Sequence, residues 1–457
     1  MSASTHGTPR CVLALSLLAL ALVFAGAPAS AADRTLVIRG ARLIDGTGAP
    51  ARENVAIVIE GDRIAAVVDD AKVSVPPNAE IVPAAGRTVM PGLIDAHVHM
   101  RNDLAELFLA FGITTVRDAG NFTDWVAELK KKQAAGELRG PRLFAAGGIV
   151  DAPPPQRPHH LPVATPEAAR EIARQLLAKG MDAIKVYTKL TPELLRPIAE
   201  EANAAGKPVM GHITMSARDA ALAGIDSLEH VSGVAIATAT DPDKVKAIPD
   251  QLGVFGFRYM DRAKADDLIK LLIEKRVTVT PSLASWARAT PRRMAFQAEG
   301  AKALANRDFV YATEELRQRV RDYVRAFSPE QKAGYEQDLE ALKIFLGRYK
   351  AAGGRLVVGT DGGAMWGLSV HHEMQLLVDM GLSPMEALIA ATRDAAAVIR
   401  AKDLGTIEPG KLADLLVLDG DPLRGIENTR KIRMVIQGGR IADTSFHRDY
   451  RIPVERP

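Results

Sequence analysis

The stretch MPGLIDAHVH, residues 90–99, combines a β-strand pattern with two histidines, a residue type that commonly binds metals. Its centre is a short apolar run, and it ends in His97-Val98-His99. Because alternate side chains of a strand share one face, both imidazoles should point to the same side. A His-x-His pair is common by chance, but the residues that precede this one make the pattern specific. The stretch therefore predicts a first strand with a metal site at its end.

Downstream of this stretch, strand-like apolar segments alternate with amphipathic helical patterns. The seven further predicted strands are residues 114–117, 142–146, 182–187, 208–213, 227–231, 278–283 and 356–360. Alternation of this kind is typical of a parallel sheet covered by helices. It predicts an α/β fold, a (β/α)8 TIM-type barrel over residues 91–403. An open doubly wound sheet is the alternative, although no glycine-rich dinucleotide motif follows the first strand.

Both flanks of this region are rich in short β-strand patterns. The N-terminal flank has them at residues 36–38, 55–59 and 64–68, with a Gly61-Asp62 turn signal between the last two. The C-terminal flank has two more, at residues 413–418 and 434–440. These patterns predict one small β-sandwich domain built from residues 32–90 and residues 404–457.

Residues 1–31 have the order of a secretory signal peptide. Arg10 precedes an apolar run, residues 12–26, and Ala29-Ser30-Ala31 forms an A-x-A cleavage site. The run is short for a membrane span. The sequence therefore predicts a periplasmic or secreted protein with no stable membrane span after cleavage. An uncleaved N-terminal anchor is the alternative.

The single cysteine, Cys11, lies in this leader, so a cleaved chain has no thiolate to offer a metal. Histidine, carboxylate or a modified lysine must then supply the ligands. A net charge of +3 over 457 residues gives no support for binding to nucleic acid. The expected partner is a small-molecule substrate, and assembly into a homo-oligomer is left open.

Polar side chains end four further predicted strands. Lys185 lies on the fourth strand, His212 ends the fifth, His230 the sixth and Asp361 the eighth. Alone, the lysine fits an ion pair at the rim, each histidine a core or surface residue, and the aspartate a turn or helix cap. Together they occupy equivalent strand ends, where barrel enzymes carry catalytic groups. With the first-strand histidines they predict a centre for zinc or a similar divalent ion.

Weaker candidates surround this set. Tyr187 follows Lys185 by two residues and should face the same cavity, as a substrate contact or as a packed barrel tyrosine. In the His371-His372 pair, His372 is the predicted substrate contact, with a solvated helix-start histidine as the alternative. The His159-His160 pair lies in the proline-rich loop 153–162, within reach of the pocket mouth. The long connection 286–352 is either a lid or a helical insertion without a role in binding.

Residues 91–99, PGLIDAHVH, resemble the first-strand signature of the amidohydrolase superfamily. Residues 405–415, GTIEPGKLADL, resemble the return of that superfamily's chain into its small β-domain, and SLEH at 227–230 and GTD at 359–361 also match. The chain is most similar to the branch with imidazolonepropionase-like proteins and Xaa-Pro dipeptidases. The loop 153–162 departs from the glycine-and-histidine pattern of the dipeptidases, which puts dipeptide specificity in doubt.

The resemblance implies a site for two divalent metal ions, with zinc expected. It assigns one ion to His97, His99 and Asp361 and the other to His212 and His230. Lys185, carboxylated by carbon dioxide, would bridge the two ions, which resolves the cost of burying a lysine.

The implied activity is cleavage of an amide or peptide C–N bond by a metal-bridging hydroxide, on a dipeptide or an N-acyl amino acid. Asp361 would act as general base and then as general acid. An esterase, lactonase or phosphotriesterase on the same site is one alternative. A non-catalytic metal- or solute-binding barrel is another.

Overall fold

The computed structural model describes residues 1, 34–101, 103–248, 255–286, 290–324, 328–451 and 454–457. The predicted signal peptide lies outside the described residues, apart from Met1. Within these ranges, no helix combines the length and the apolar character that crossing a membrane requires.

Strands and helices alternate along the described chain. The strands are β1 Thr35–Leu43, β2 Arg52–Glu60, β3 Arg63–Asp69, β4 Glu80–Pro83, β5 Thr88–Pro91, β6 Leu93–Val98, β7 Ile113–Asp118, β8 Arg142–Ala145, β9 Ile149–Asp151, β10 His160–Pro162, β11 Ile184–Val186, β12 Val209–Gly211, β13 Ser227–Glu229, β14 Thr278–Thr280, β15 Leu415–Leu418, β16 Ile432–Gln437 and β17 Arg440–Ile441. The α-helices are α1 Ala105–Ala110, α2 Thr123–Ala134, α3 Pro166–Ala178, α4 Pro192–Ala204, α5 Ala217–Ala223, α6 Val234–Thr238, α7 Pro242–Lys246, α8 Arg262–Glu274, α9 Leu283–Trp286, α10 Arg293–Leu304, α11 Glu314–Arg321, α12 Pro329–Ala351, α13 Leu368–Asp379, α14 Pro384–Ala390 and α15 Arg393–Val398.

The two β-rich flanks form one small β-domain, as predicted. Its strands follow the order β17-β16-β15-β5-β1-β2-β3, and β4 also pairs with β1. β5 makes the domain continuous because it pairs in parallel with β1 and antiparallel with β15. The β2–β3 hairpin turns at Gly61, whose φ of 61° lies in the left-handed region that favours glycine. Apolar side chains from both flanks share a single buried cluster.

The central region is the predicted parallel barrel. β6, β7 and β8 form one parallel sheet, and β9 to β14 form another. Backbone hydrogen bonds link the two sheets. On one side, the Asp182 N–H donates to the Ala145 carbonyl over 2.8 Å. On the other side the segment 355–361 lies between β14 and β6, where the Val357 N–H donates to Val279 and the Ala96 N–H donates to Val358, each over 3.0 Å.

The predicted eighth strand is the least regular part of this barrel. Residues 356–360 form only an isolated parallel bridge, between Leu356 and Val279. Gly359 lies so close to its neighbours that a Cβ atom there would come within 2.6 Å of Thr280 and 2.7 Å of His97. This close approach brings the end of the segment against the first barrel strand.

The long connection after β14 is helix-rich, as predicted. It contains α10, α11 and α12, and α12 begins with a capping box between Ser328 and Gln331. α12 buries Leu342, Phe345 and Tyr349. α11 carries polar side chains into the cavity described below.

The chain does not stay with the β-domain after β17. Phe446 stacks on Phe309 with ring centroids 4.5 Å apart, and the His447 N–H donates to buried Glu106 over 3.0 Å. Further on, the Trp125 indole N–H donates to the Val454 carbonyl over 3.1 Å. The sequence prediction placed residues 404–457 in the β-domain, but the structure lays the end of this segment on the barrel. Aromatic packing and partly buried hydrogen bonds hold it there.

Candidate metal centre

A cavity of 340 Å³ opens where the carboxyl ends of the barrel strands meet. Seven of the eight predicted site residues line it. They are His97, His99, Lys185, Tyr187, His212, His230 and Asp361. Two of these, His230 and Asp361, have positive φ values of 60° and 48°. The backbone therefore leaves the regular ladder where these side chains turn into the cavity.

His97, His99 and Asp361 form the tightest donor group. One ligand atom of each lies within 4.8 Å of the others. His99 Nδ1 lies 2.9 Å from the Gly120 carbonyl, and its Nε2 lies 3.6 Å from an Asp361 oxygen. His97 Nδ1 lies 2.5 Å from Glu229. Each imidazole is thus anchored through Nδ1, which leaves Nε2 for a metal, and two such imidazoles with a carboxylate are a donor set that zinc accepts.

His212 and His230 lie directly beside this group. Their ring centroids are 4.6 Å apart, and the His230 ring lies 4.7 Å from that of His97. Burial lowers the pKa of His230 well below its usual value, which favours the neutral imidazole that binds metals. Four adjacent imidazoles and one carboxylate are therefore donors suited to the divalent ions that the family resemblance implies.

Lys185 lies at the floor of the same cavity. Its side chain is buried, and this burial lowers the pKa of its amine to about 8. Among the described residues, no carboxylate comes within ion-pair distance of the amine, so the rim ion pair considered from the sequence is not found. A buried amine facing this donor set suits the carboxylated form, which stays a prediction.

Tyr187 faces the cavity between two histidines. Its ring centroid lies 5.1 Å from that of His212 and 5.2 Å from that of His160. Burial raises the pKa of the phenol, so the hydroxyl stays protonated and able to donate a hydrogen bond.

His372 does not line this cavity. It is buried in α13, where its ring stacks on Phe296 at 3.8 Å and its Nε2 lies 3.0 Å from Glu299. Its neighbour His371 is buried too, between Thr429 and the Phe111 carbonyl. The substrate contact predicted for His372 therefore has no support from its position, because the helix turns the ring into the protein interior.

The proline-rich loop contributes one histidine to the cavity. His159 lines it, whereas His160 lies buried behind Tyr187. The expected approach of this loop to the pocket mouth thus holds for His159.

A buried charged network below the candidate metal ligands was missed in the sequence. Glu229 accepts from the His97 ring, from Arg117 Nη2 over 2.9 Å and from the Ser227 hydroxyl over 2.7 Å. Arg117 also donates to the Ala96 carbonyl over 2.6 Å. All these side chains are fully buried. The one available signal was an unexplained glutamate next to His230 on a barrel strand.

Arginines around the mouth were also missed. Arg319 of α11 donates to the Asp361 carbonyl over 2.7 Å and lies 4.3 Å over the Trp366 ring. Arg101, Arg157 and Arg456 line the same opening. These residues come from loops, the insertion and the tail. Strand alternation does not apply in such segments, so the sequence pattern does not predict which way their side chains point.

The sequence profile of the amidohydrolase family matches residues 88–442. The chain belongs to the amidohydrolase family. This match spans the whole barrel and reaches into both flanks of the β-domain, so the family's fold accounts for the architecture described above.

Individual relatives match shorter parts of the sequence. An imidazolonepropionase from Pyrobaculum arsenaticum is 46% identical over 66 residues, which are 14% of this chain and 17% of that protein. An N-acyl-D-aspartate deacylase from Alcaligenes xylosoxydans xylosoxydans is 38% identical over 107 residues, 22% of this chain and 20% of that protein. The chain thus matches about a fifth of the length of these curated relatives.

A solved structure is similar over nearly the full length. A protein described as a prolidase, from Bifidobacterium longum, superimposes with a TM-score of 0.68 at 24% identity. The superposition covers 89% of this chain and 94% of that one. It supports the barrel with its small β-domain.

The Glu229 contact predicts an effect on metal affinity. Glu229→Ala should weaken zinc binding by roughly 10- to 100-fold, because the carboxylate that orients His97 is lost. Zinc affinity is measured by competition with a chromogenic chelator. Ser227→Ala removes only one bond to Glu229 and serves as the milder control. Unchanged zinc affinity in Glu229→Ala would leave this carboxylate as a purely structural partner of Arg117.

Proposed function

We propose that this amidohydrolase family member hydrolyses an amide or peptide C–N bond in a small substrate, such as an N-acyl amino acid or a dipeptide, with two divalent metal ions. The observation that carries the proposal is the convergence of four histidines, Lys185 and Asp361 on one cavity at the strand ends. His97, His99 and Asp361 would hold one ion. His212 and His230 would hold the other, with carboxylated Lys185 shared between them.

Divalent ions in such a site lower the pKa of bound water and polarise a carbonyl oxygen. The protein's own groups then move the protons. Asp361 accepts a proton from the attacking water and delivers it to the leaving nitrogen as the C–N bond breaks. The Tyr187 hydroxyl donates a hydrogen bond to an oxygen of the substrate and so helps to place the scissile bond.

A substrate screen tests this proposal against its alternatives. We expect about two zinc ions per chain and turnover of at least one N-acyl amino acid or dipeptide. Dialysis against a chelator should abolish turnover, and added zinc should restore it. Activity confined to esters, lactones or phosphotriesters would favour the other hydrolase class. A fully metallated protein inactive on every substrate would indicate a non-catalytic binding barrel.

Two substitutions separate the roles of Lys185 and Asp361. Lys185→Ala should lose one or both zinc ions together with activity, because the shared ligand is missing. Asp361→Asn should retain much of the metal through its amide oxygen but lose about 100-fold or more in turnover. Metal content per chain and kcat are measured on the same preparations.

The matched control is Lys189→Ala, since Lys189 lies just beyond β11 with its amine bonded to the Pro154 carbonyl at the surface. It should keep both metals. If Lys185→Ala also keeps both metals and its turnover, the lysine is an ordinary barrel residue. If Asp361→Asn keeps full turnover, the acid–base step assigned to Asp361 is wrong.

We further propose that the protein is exported to the periplasm or the medium. The support is the order of charged, apolar and small residues in residues 1–31. Protein recovered from a periplasmic extract should have lost the mass of the segment that ends near Ala31, as measured by intact mass spectrometry. Full-length protein found only in the cytoplasm would contradict export.

A further inference from the structure

The tail that follows the β-domain contributes a cationic side chain to the metal cavity. Arg456 lines the cavity wall together with residues of the barrel loops. The preceding part of the tail is anchored on the barrel, through the Phe446 stack, the His447 contact with Glu106 and the Val454 carbonyl on Trp125. Arg456 therefore reaches the mouth along a segment with specific contacts.

The guanidinium of Arg456 is held in place by the loop after β7. Its Nε donates to Asn121 Oδ1 over 2.8 Å, and its Cζ lies 5.8 Å from the centre of the Phe122 ring. Asn121 is itself buried, and its amide donates to the Met100 carbonyl and to Asp118. Both contacts of Arg456 are with neutral groups, so its positive charge is not neutralised by them.

A second arginine lines the same cavity. Arg157 of the proline-rich loop also lines the cavity. His159 lines the cavity with both arginines, and burial, the neighbouring histidines and the two guanidinium charges together lower its pKa to about 4. In the described part of the chain, neither Arg157 nor Arg456 has a carboxylate within ion-pair distance.

The acidic groups of the cavity are already engaged elsewhere. Glu315, at the rim, pairs with Arg101. Asp361 belongs to the metal donor group. Arg157 and Arg456 therefore bring two positive charges, with no carboxylate of the described residues in ion-pair contact, to the lining of the proposed hydrolytic centre.

We propose that Arg456 and Arg157 bind the free carboxylate of the substrate, so that the C-terminal tail determines specificity. The inference rests on the proposed function and narrows it to substrates with a carboxylate on the amine side of the scissile bond. Guanidinium groups suit this role, because their planar array of donors matches the two oxygens of a carboxylate and keeps its charge at all working pH values. Tyr187 then remains available for the scissile carbonyl.

The test compares matched charged and neutral substrates. The probes are the best N-acetyl amino acid of the screen and its C-terminal carboxamide. Arg456→Gln should lower kcat/KM for the carboxylate by roughly 10- to 100-fold, mainly through KM, while the carboxamide changes less than about 3-fold. Arg456→Lys should recover part of the loss, because it restores the charge without the planar donors.

The matched control is Arg451→Gln. Arg451 lies in the same tail, is exposed, and donates to the adjacent Tyr450 carbonyl. The Arg451→Gln substitution removes the same charge and should leave kcat/KM for both substrates unchanged. If Arg456→Gln lowers kcat/KM equally for both substrates, the carboxylate contact is overturned. It is also overturned if Arg451→Gln lowers kcat/KM for the carboxylate as much as Arg456→Gln does. Thermal melting of each variant checks that the fold is intact.

Binding measurements separate this inference from the proposed function. If the wild-type protein hydrolyses nothing in the screen, N-acetyl-L-alanine and N-acetyl-L-alaninamide are titrated calorimetrically into it. Preferential binding of the carboxylate that Arg456→Gln abolishes would support the arginine site even though the proposed hydrolysis had failed. Equal binding of both probes, or no binding of either, would overturn the arginine site. Hydrolysis of the carboxamide with no preference for the carboxylate would overturn it while retaining the hydrolase.

Discussion

The contact between Asp95 and Thr360 is the constraint on which the candidate metal centre depends. One Asp95 oxygen accepts from the Thr360 N–H over 3.0 Å and from the His97 N–H over 3.2 Å, and the other accepts from the Thr360 hydroxyl over 2.7 Å. Asp95 is fully buried, and burial raises the pKa of its carboxyl to about 7. The contact joins the first barrel strand to the irregular eighth segment. It thereby brings Asp361 beside the histidines of the first strand.

A second buried carboxylate supports the same strand from below. Glu229 holds the His97 ring, and Arg117 balances the charge of Glu229 and binds the Ala96 carbonyl. Isolated charges in a barrel interior would be costly, so these groups occur as a compensated set. The ring of His97 is thus fixed from the backbone side by Asp95 and from the side chain by Glu229. These supports fix the geometry of the candidate metal site as much as the proposed ligands do.

The sequence predicted the barrel and the members of the central cavity because both follow from strand geometry. His97 and His99 share a face because side chains alternate along a strand. His212 and His230 end neighbouring strands, and the carboxyl ends of the barrel strands meet at one face. The eighth strand was harder to predict, since its hydrogen-bonded ladder is reduced to a single bridge near Gly359. His372 does not line the cavity, because α13 is oriented so that the ring packs against Phe296. That orientation depends on tertiary packing, which no local sequence pattern encodes. Arg456 was missed for the related reason that a tail has no period at all.

The continuity of the β-domain has a consequence for the order in which the molecule assembles. β5 precedes the barrel and pairs with β15, which follows it, so Pro91 meets Leu415 only after the entire barrel sequence has been synthesised. Pairings between segments so distant in sequence form slowly, because loop closure must precede the contact. The tail follows β15 in the chain and is synthesised after it. The side of the cavity that carries Arg456 is therefore the last part of the site to be synthesised, after every proposed metal ligand.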